Sequence, residues 1–230
     1  THIVAVAGAE QQEPGWRYFQ ELFGVSKDMR DPDPARRYKM GYLYLIWNYR
    51  GPGECPLHPG QRRGLGVAFS PDGVHWTPMP DAVTEATCDG ATHWFHDEQA
   101  GRFVLYGRGR HRAPELVSRY GDELFFQQHN SGRAVRRAES PDFLHWIPEQ
   151  GELILSSDLL DGPYTEIYSM SGFPYEGIYI GLVQAFRNRP ARVYLDVQLA
   201  VRRDSVHFER VSDRSPFIPV GEVGTWDRFN

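Results

Sequence analysis

The sequence lacks the features that define several large classes of protein. Its 230 residues include two cysteines, Cys55 and Cys88, which are too few for a disulfide framework and lack the spacing of a metal site. Whether these two cysteines pair stays open. No run of about 18 apolar residues occurs, so no membrane-spanning helix is predicted. The first residues, Thr-His-Ile-Val, are not a signal peptide, and the compartment, whether cytoplasmic, periplasmic or extracellular, stays open.

A strongly basic surface is also missing. The formal net charge is −5 at pH 7, which argues against nucleic acid as a partner. The nearest approach to a basic cluster is Arg108, Arg110 and Arg112, and alternating arginines are typical of a solvated strand face. Neither a metal nor a redox cofactor is indicated.

Turn-forming residues, in contrast, are abundant. The chain has 23 glycines, 17 prolines and 13% aromatic residues, a composition typical of many short strands joined by tight turns. One turn motif occurs three times. Ser70–Trp76 has the sequence Ser-Pro-Asp-Gly-Val-His-Trp, Ser140–Trp146 has Ser-Pro-Asp-Phe-Leu-His-Trp, and Arg203–Phe208 is a weaker copy. The aspartates of the three copies are 70 and 62 residues apart.

Each copy of the motif follows a similar series of extended segments. Before Ser140, for example, these segments are residues 91–96, 102–107 and 135–139. Four strands per unit, repeated at this spacing, predict an all-β fold, a β-propeller of four-stranded antiparallel blades. The predicted single domain covers residues 1–230, with blades at about 20–80, 85–150 and 160–215 and the start of another at 216–230.

The two ends of the sequence carry their own expectations. Residues 1–19 are interpreted as a linker, with a short helix over 14–23 as an alternative, and residues 224–230 as an innermost strand. Because a closed propeller usually has at least four blades, we expect the propeller to be incomplete in this chain. The missing sheet is then expected from the remainder of the propeller or from another copy of the chain.

The repeat also separates structural carboxylates from candidate functional ones. Those that recur at turns are expected to hold the turns: Asp72, Asp142 and Asp204 in the turn motif, and Asp28 and Asp97 in the first hairpin of a blade. Asp89, Glu166 and Asp227 fall instead at corresponding positions before or within innermost strands, 77 and 61 residues apart. Because innermost strands converge, these three are predicted to line one pocket. Chemistry, ligand binding without chemistry, and strand capping all remain open for them.

Five further residues are candidates for binding a substrate. His93 has the same strand parity as Asp89, so it is expected to face the same pocket. Tyr168 and Trp226 could stack against a sugar, and Arg108 and Arg187 end second strands and could reach the rim. A satisfied core histidine and core aromatics are the alternatives.

The turn motif resembles the Ser-x-Asp-Leu-x-x-Trp element of a glycoside hydrolase superfamily with five-bladed propellers, which includes invertases, fructan hydrolases, arabinanases and xylosidases. Ser140–Trp146 and the hairpins at 31–39 and 97–106 carry the resemblance, which is strongest to uncharacterised bacterial members. It implies a five-bladed propeller with inner carboxylates, in which Asp89 is similar to an inner aspartate and Glu166 to the general acid. The invertase motifs Trp-Asn-Asp-Pro and Arg-Asp-Pro are absent.

The sequence therefore predicts a glycosidase, an O-glycosyl hydrolase acting on a furanoside or related glycan by carboxylate acid/base catalysis. Glu166 would be the general acid, and Asp89 and Asp227 would share the base or nucleophile and stabilising roles. Two alternatives stay open. One is a glycan-binding propeller without turnover, and the other is a glycoside phosphorylase of the related five-bladed type, with Arg108, Arg110 and Arg187 holding phosphate.

Overall fold

The protein is described by a computed structural model that covers residues 17–47, 49–52, 59–87, 89, 91–122, 132–189 and 192–228. Three four-stranded antiparallel groups follow one another along the chain, each in simple up-and-down order. The first has β1 (Arg17–Lys27), β2 (Tyr38–Trp47), β3 (Gln61–Ser70) and β4 (Thr77–Pro78). The second has β5 (His93–Asp97), β6 (Arg102–Arg110), β7 (Arg133–Ser140) and β8 (Ile147–Leu155).

The third group has β9 (Thr165–Tyr175), β10 (Ile178–Arg189), β11 (Arg192–Arg202) and β12 (Glu209–Arg210). A short strand, β13 (Pro216–Ile218), pairs with β11. A seven-residue helix, α1 (Pro114–Tyr120), lies between β6 and β7. Among the described residues, no helix is long and apolar enough to cross a membrane. The predicted four-stranded blades are confirmed.

The turn motif lies between the third and fourth strands of each sheet, as predicted. In the first copy Asp72 Oδ1 accepts hydrogen bonds from the backbone N–H groups of Val74 and His75, both at 2.8 Å. Asp142 and Asp204 accept the equivalent pairs in the other copies. These aspartates are therefore structural, because they satisfy backbone donors that the turn leaves unpaired.

The second copy of the motif replaces a glycine by phenylalanine. Gly73 has a φ of +80°, and Phe143 holds the same position with a φ of +70°. A left-handed conformation is strained for a residue with a Cβ. The Phe143 side chain is fully buried and its ring centroid lies 4.5 Å from that of Trp94, so packing of the ring offsets the strain of the backbone.

The chain forms two compact units. One comprises residues up to 90 together with 94–105 and 138–151, and the other comprises 91–93, 106–137 and the residues from 152 onward. In the first unit, the hydrophobic core gathers around Leu65, Val67, Trp94, Leu105 and Phe143. A Cβ on Gly41 would lie 2.6 Å from the Trp94 indole nitrogen, so this glycine is what lets the indole pack against β2.

In the second unit, β10 pairs with β9 and β11 over most of its length, from Tyr179 opposite Arg202 to Arg187 opposite Thr165. Its side chains alternate between buried residues, such as Val183 and Ala185, and partly exposed ones. One face of this sheet therefore carries the core.

Two expectations for the chain ends are wrong. The described part of residues 14–23 lies in strand β1, not in a helix, because residues from Arg17 to Lys27 pair with β2. The described part of residues 224–230 forms turns instead of an innermost strand. Gly224 has a φ of +99° and the Gly221 N–H donates to the Asp227 carbonyl, which folds this segment back on itself. Cys55 and Cys88 lie outside the described residues.

Candidate functional site

Glu166 is a buried carboxylate in the second strand position of β9. Its side chain is 1% exposed. Its Oε1 accepts a hydrogen bond from the Arg133 backbone N–H at 2.8 Å, and its Oε2 accepts one from the Arg133 guanidinium at 2.6 Å. Arg133 is the first residue of β7, so the start of that strand is held against the start of β9. Both contacts stabilise an ionised carboxylate, since a guanidinium always donates.

Aromatic rings and a second arginine surround this pair. The Arg133 guanidinium lies 5.5 Å from the Tyr168 ring centroid and 5.2 Å from that of Phe186. The Arg108 guanidinium covers the Tyr168 ring at 3.9 Å, and its Nε donates to the Tyr168 carbonyl at 3.1 Å. Arg108 at the end of β6 and Arg133 at the start of β7 thus converge on two residues of β9. A sugar stacking on Tyr168 would have to use the face that Arg108 leaves open.

Arg187 lies at the same end of the third sheet but is already engaged. Its Nε donates to Asp196 Oδ2 at 2.9 Å, and its Nη1 donates to the Thr165 hydroxyl at 2.8 Å. Both side chains of the ion pair are largely buried, at 14% and 4% exposed. Because two partners share this guanidinium, Arg187 fixes β10 to β9 and β11 next to Glu166.

Asp89, in the first unit, has a similar arrangement. Its Oδ1 lies 3.2 Å from the Arg63 guanidinium, and its carbonyl accepts from the Thr87 hydroxyl at 2.9 Å. Arg63 and Arg133 are 70 residues apart, the same step that separates the aspartates of the first two turn motifs. Each of the two predicted carboxylates therefore pairs with an arginine at the same position of a third strand.

That equivalence does not extend to Asp227. Arg63 and Arg133 each lie nine residues before a turn-motif aspartate, and the same offset from Asp204 falls on Leu195. Asp227 itself lies in the turn at the end of the described chain, and its Oδ1 faces the Gly221 α-carbon. Trp226 beside it is 93% exposed. The strand on which Asp227 was placed does not form, and its presence in the pocket stays a prediction.

His93 has a largely buried environment. Burial lowers its pKa, although a hydrogen bond to the Gly172 backbone acts in the opposite direction. The imidazole is therefore mainly neutral at pH 7. Gly172 is six residues along β9 from Glu166, or about 20 Å at the rise of an extended strand. A role for His93 in binding substrate stays a prediction.

The sequence argument missed several members of this cluster. Arg133, Phe186 and Asp196 were not candidates, although the 70-residue spacing of Arg63 and Arg133 could have identified the arginine. Glu85 was also missed. Burial and the nearby Glu149 carboxylate raise the pKa of Glu85, so this carboxyl holds a proton more readily than an ordinary glutamate.

Chemically, the cluster in the second unit offers a carboxylate, two guanidinium groups and two aromatic rings in contact. Guanidinium groups recognise carboxylates, sulfates, phosphates and hydroxyl oxygens, and aromatic rings pack against the apolar faces of sugars. Among the described residues, no group of three or more His, Cys, Asp or Glu side chains is arranged to hold a metal ion.

Known structures share this fold. The chain is similar to an endo-arabinase from Bacteroides thetaiotaomicron, with 11% identity and a TM-score of 0.55, over 92% of this chain and 66% of that one. It is also similar to an N-acetylgalactosamine deacetylase from F. plautii in complex with blood group B trisaccharide, with 16% identity and a TM-score of 0.52, over 86% and 54% of the two chains. A protein described as a glycoside hydrolase has a TM-score of 0.51 and 13% identity, over 90% and 58%.

These similarities show that the chain has the β-propeller fold of four-stranded antiparallel blades found in propeller glycoside hydrolases. At identities of 11–16%, the similarity establishes the fold alone. The chain spans between 54% and 66% of the length of these three structures. No protein-family model matches the chain, and no curated protein matches its sequence.

Proposed function

We propose that this protein is a glycoside hydrolase that acts on a furanoside or related glycan with Glu166 as its general acid. The observation that carries the proposal is the repeated pair of an inner carboxylate and a third-strand arginine, Asp89 with Arg63 and Glu166 with Arg133. The fold is one on which glycoside hydrolases are built, and hydrolysis of a glycoside needs two carboxyl groups with different roles.

Asp89 suits the role that requires an ionised carboxylate, either base or nucleophile. Its side chain is 23% exposed, so water or substrate can reach it, and Arg63 stabilises its charge. Asp227 would stabilise the transition state. The separation of the carboxyl groups decides the stereochemistry, about 5 Å for retention and about 6.5–9.5 Å for inversion.

Glu166 carries a further requirement. A general acid must deliver a proton to the leaving oxygen, whereas both oxygens of Glu166 accept hydrogen bonds from Arg133 in this state. Catalysis therefore requires the bound substrate to draw the Arg133 guanidinium away from Oε2. Arg133 is then a positioning residue whose partner changes between the free and bound protein.

Substitution of Glu166 by glutamine tests the acid role. The loss of rate should be roughly 10²–10⁴-fold on a disaccharide, whose leaving group needs protonation. The loss should be much smaller on a 4-nitrophenyl glycoside, whose leaving group needs little. Rates on both substrates, at saturating and limiting concentrations, are the measurement. Glu152→Gln, an exposed residue in β8, is the matched control and should leave both rates unchanged.

Equal losses on the two substrates would remove Glu166 from the acid role. Binding of oligosaccharides without turnover by the unsubstituted protein would instead support a glycan-binding propeller. Isothermal titration calorimetry against the same disaccharides separates that result from a protein that binds no glycan.

A further inference from the structure

The charge of this chain is unevenly distributed along its sequence. Residues 108–137 contain seven arginines and three acidic residues, whereas the whole chain has a net charge of −5. This segment runs from the end of β6 through α1 to the first half of β7. A basic segment in an acidic chain attracts anions to the part of the molecule where it lies.

Both ends of the basic segment lie at the Glu166 cluster. Arg108 covers the Tyr168 ring at 3.9 Å, and Arg133 binds Glu166 at 2.6 Å. The His111 N–H donates to the Gly132 carbonyl at 2.7 Å, which closes the two ends of the β6–β7 connection on each other. The corresponding connection in the third sheet, between β10 and β11, has two residues, 190–191. The second sheet thus places a long basic connection at the site.

The contacts around Tyr168 and Glu166 set the local balance of charge. In the described part of the second unit, these contacts bring two guanidinium groups, Arg108 and Arg133, to one carboxylate. Arg187, the third arginine at this end, is held by Asp196 and does not add to the excess. Arginine is suited to bind an oxyanion here because its planar group can donate two parallel hydrogen bonds while its face stays on an aromatic ring.

We propose that this site binds an anionic oxygen group next to the sugar, a carboxylate, sulfate or phosphate that belongs to the glycan or a free phosphate ion, through Arg108 and Arg133. The inference rests on the proposed function, because it names the substrate class of the same site. It also meets the requirement stated for Glu166. An anion that pairs with Arg133 takes over its hydrogen bonds and leaves the Glu166 carboxyl beside a negative group, where the protonated form is favoured.

Binding of matched neutral and anionic ligands to the full chain tests this. The probe pairs are trigalacturonate and its methyl ester, a sulfated galactan oligosaccharide and its desulfated form, and a glucose phosphate and glucose, with inorganic phosphate measured alone. In at least one pair, the anionic member should bind at least tenfold more tightly in calorimetry. The preference should shrink with salt, because raising the ionic strength from about 0.01 M to about 1 M shortens the screening length from about 30 Å to about 3 Å.

Two substitutions with the same change of charge locate the effect. Arg108→Gln should abolish the preference for the anionic member, whereas Arg119→Gln, on the exposed surface of α1, should retain it. Arg108→Lys keeps the charge without the planar group and should retain part of the preference. Thermal unfolding of each variant shows whether it is folded, and the salt dependence of the unsubstituted protein tests the proposal without any variant.

Equal binding of neutral and anionic members in every pair would overturn the proposal, as would equal losses in Arg108→Gln and Arg119→Gln. Tight binding of inorganic phosphate with phosphate-dependent turnover would identify the free ion as the source. Tight binding of a charged glycan alone would identify the glycan. The proposed function fails separately: anion preference without turnover removes the hydrolase and keeps this inference, and turnover with no anion preference does the reverse.

Discussion

The ion pairs of this chain fall into two groups, according to how far water reaches them. Arg187 and Asp196 are 14% and 4% exposed, whereas Arg62 and Asp81 form a pair of similar length with side chains 23% and 49% exposed. A surface pair contributes little because water screens it and solvates each partner when it is alone. A buried pair is different, since removing one partner leaves a charge that water cannot reach.

Substitution of the two aspartates by alanine should therefore have unequal effects. Asp196→Ala leaves the Arg187 guanidinium buried beside Thr165 and should lower the free energy of unfolding by about 3 kcal/mol. Asp81→Ala, the matched control, should lower it by less than about 1 kcal/mol. Urea titration at pH 7 measures both values. Similar losses for the two variants would contradict this account of the buried pair.

At the scale of single elements, β10 shows how surroundings shape a strand. The central strands β2 and β6 are buried on both faces, from Met40 to Ile46 and from Phe103 to Gly109. In β10, by comparison, buried residues alternate with partly exposed ones such as Ile180 and Leu182. The apolar sequence Ile-Tyr-Ile-Gly-Leu-Val does not distinguish these cases, because every second residue is apolar on either face. Tertiary packing decides which face is dry.

The same polar side chain on the two faces of β10 tests this difference. Val183→Asn places an amide in the core beside Val183's fully buried position and should lower the free energy of unfolding by about 3 kcal/mol. Leu182→Asn places it on the partly exposed face and should cost about 1 kcal/mol. The new side chain is the same in both variants, so differences in strand propensity largely cancel. Denaturation midpoints with unchanged slopes give the comparison.

At the scale of the whole molecule, three copies of one turn link stability to pH. Backbone hydrogen bonds, from His75 to Asp72 and from His207 to Asp204, are the largest cause of a lowered pKa in these two aspartates. Although burial raises it, hydrogen bonds from His145 and Leu144 lower the pKa of Asp142 to about 2. All three carboxyls thus titrate below the value of about 3.9 expected for an unfolded chain.

The sign of the resulting pH dependence is fixed. A carboxyl whose pKa is lower in the folded state adds stability above its unfolded value, and this stability is lost as pH falls toward the folded value. We expect the free energy of unfolding to fall between about pH 5 and pH 2. In Asp142→Ala the protein should be less stable at pH 7, and the difference from the unsubstituted protein should shrink over this range. A difference that stays constant down to pH 2 would show that Asp142 does not carry this dependence.

The local features of this chain could be predicted from its sequence because they depend on near neighbours. The turn motif needs an aspartate, a backbone with two free N–H groups and a following aromatic residue, all within seven positions. Its three copies predicted three four-stranded sheets with correct strand order. The repeat also placed Asp89 and Glu166 at corresponding positions, which their arginine partners support.

The composition of the candidate site depended instead on contacts between residues far apart in the sequence. Arg133 meets Glu166 across 33 residues, and Arg108 meets Tyr168 across 60. No local pattern marks either arginine as a partner, since alternating arginines are equally typical of a solvated strand. Asp227 shows the opposite error, because a position extrapolated from the repeat lies in a turn closed by Gly221 and Gly224. Hydrogen bonds within a few residues are written in the sequence, whereas side-chain partners across sheets follow from packing.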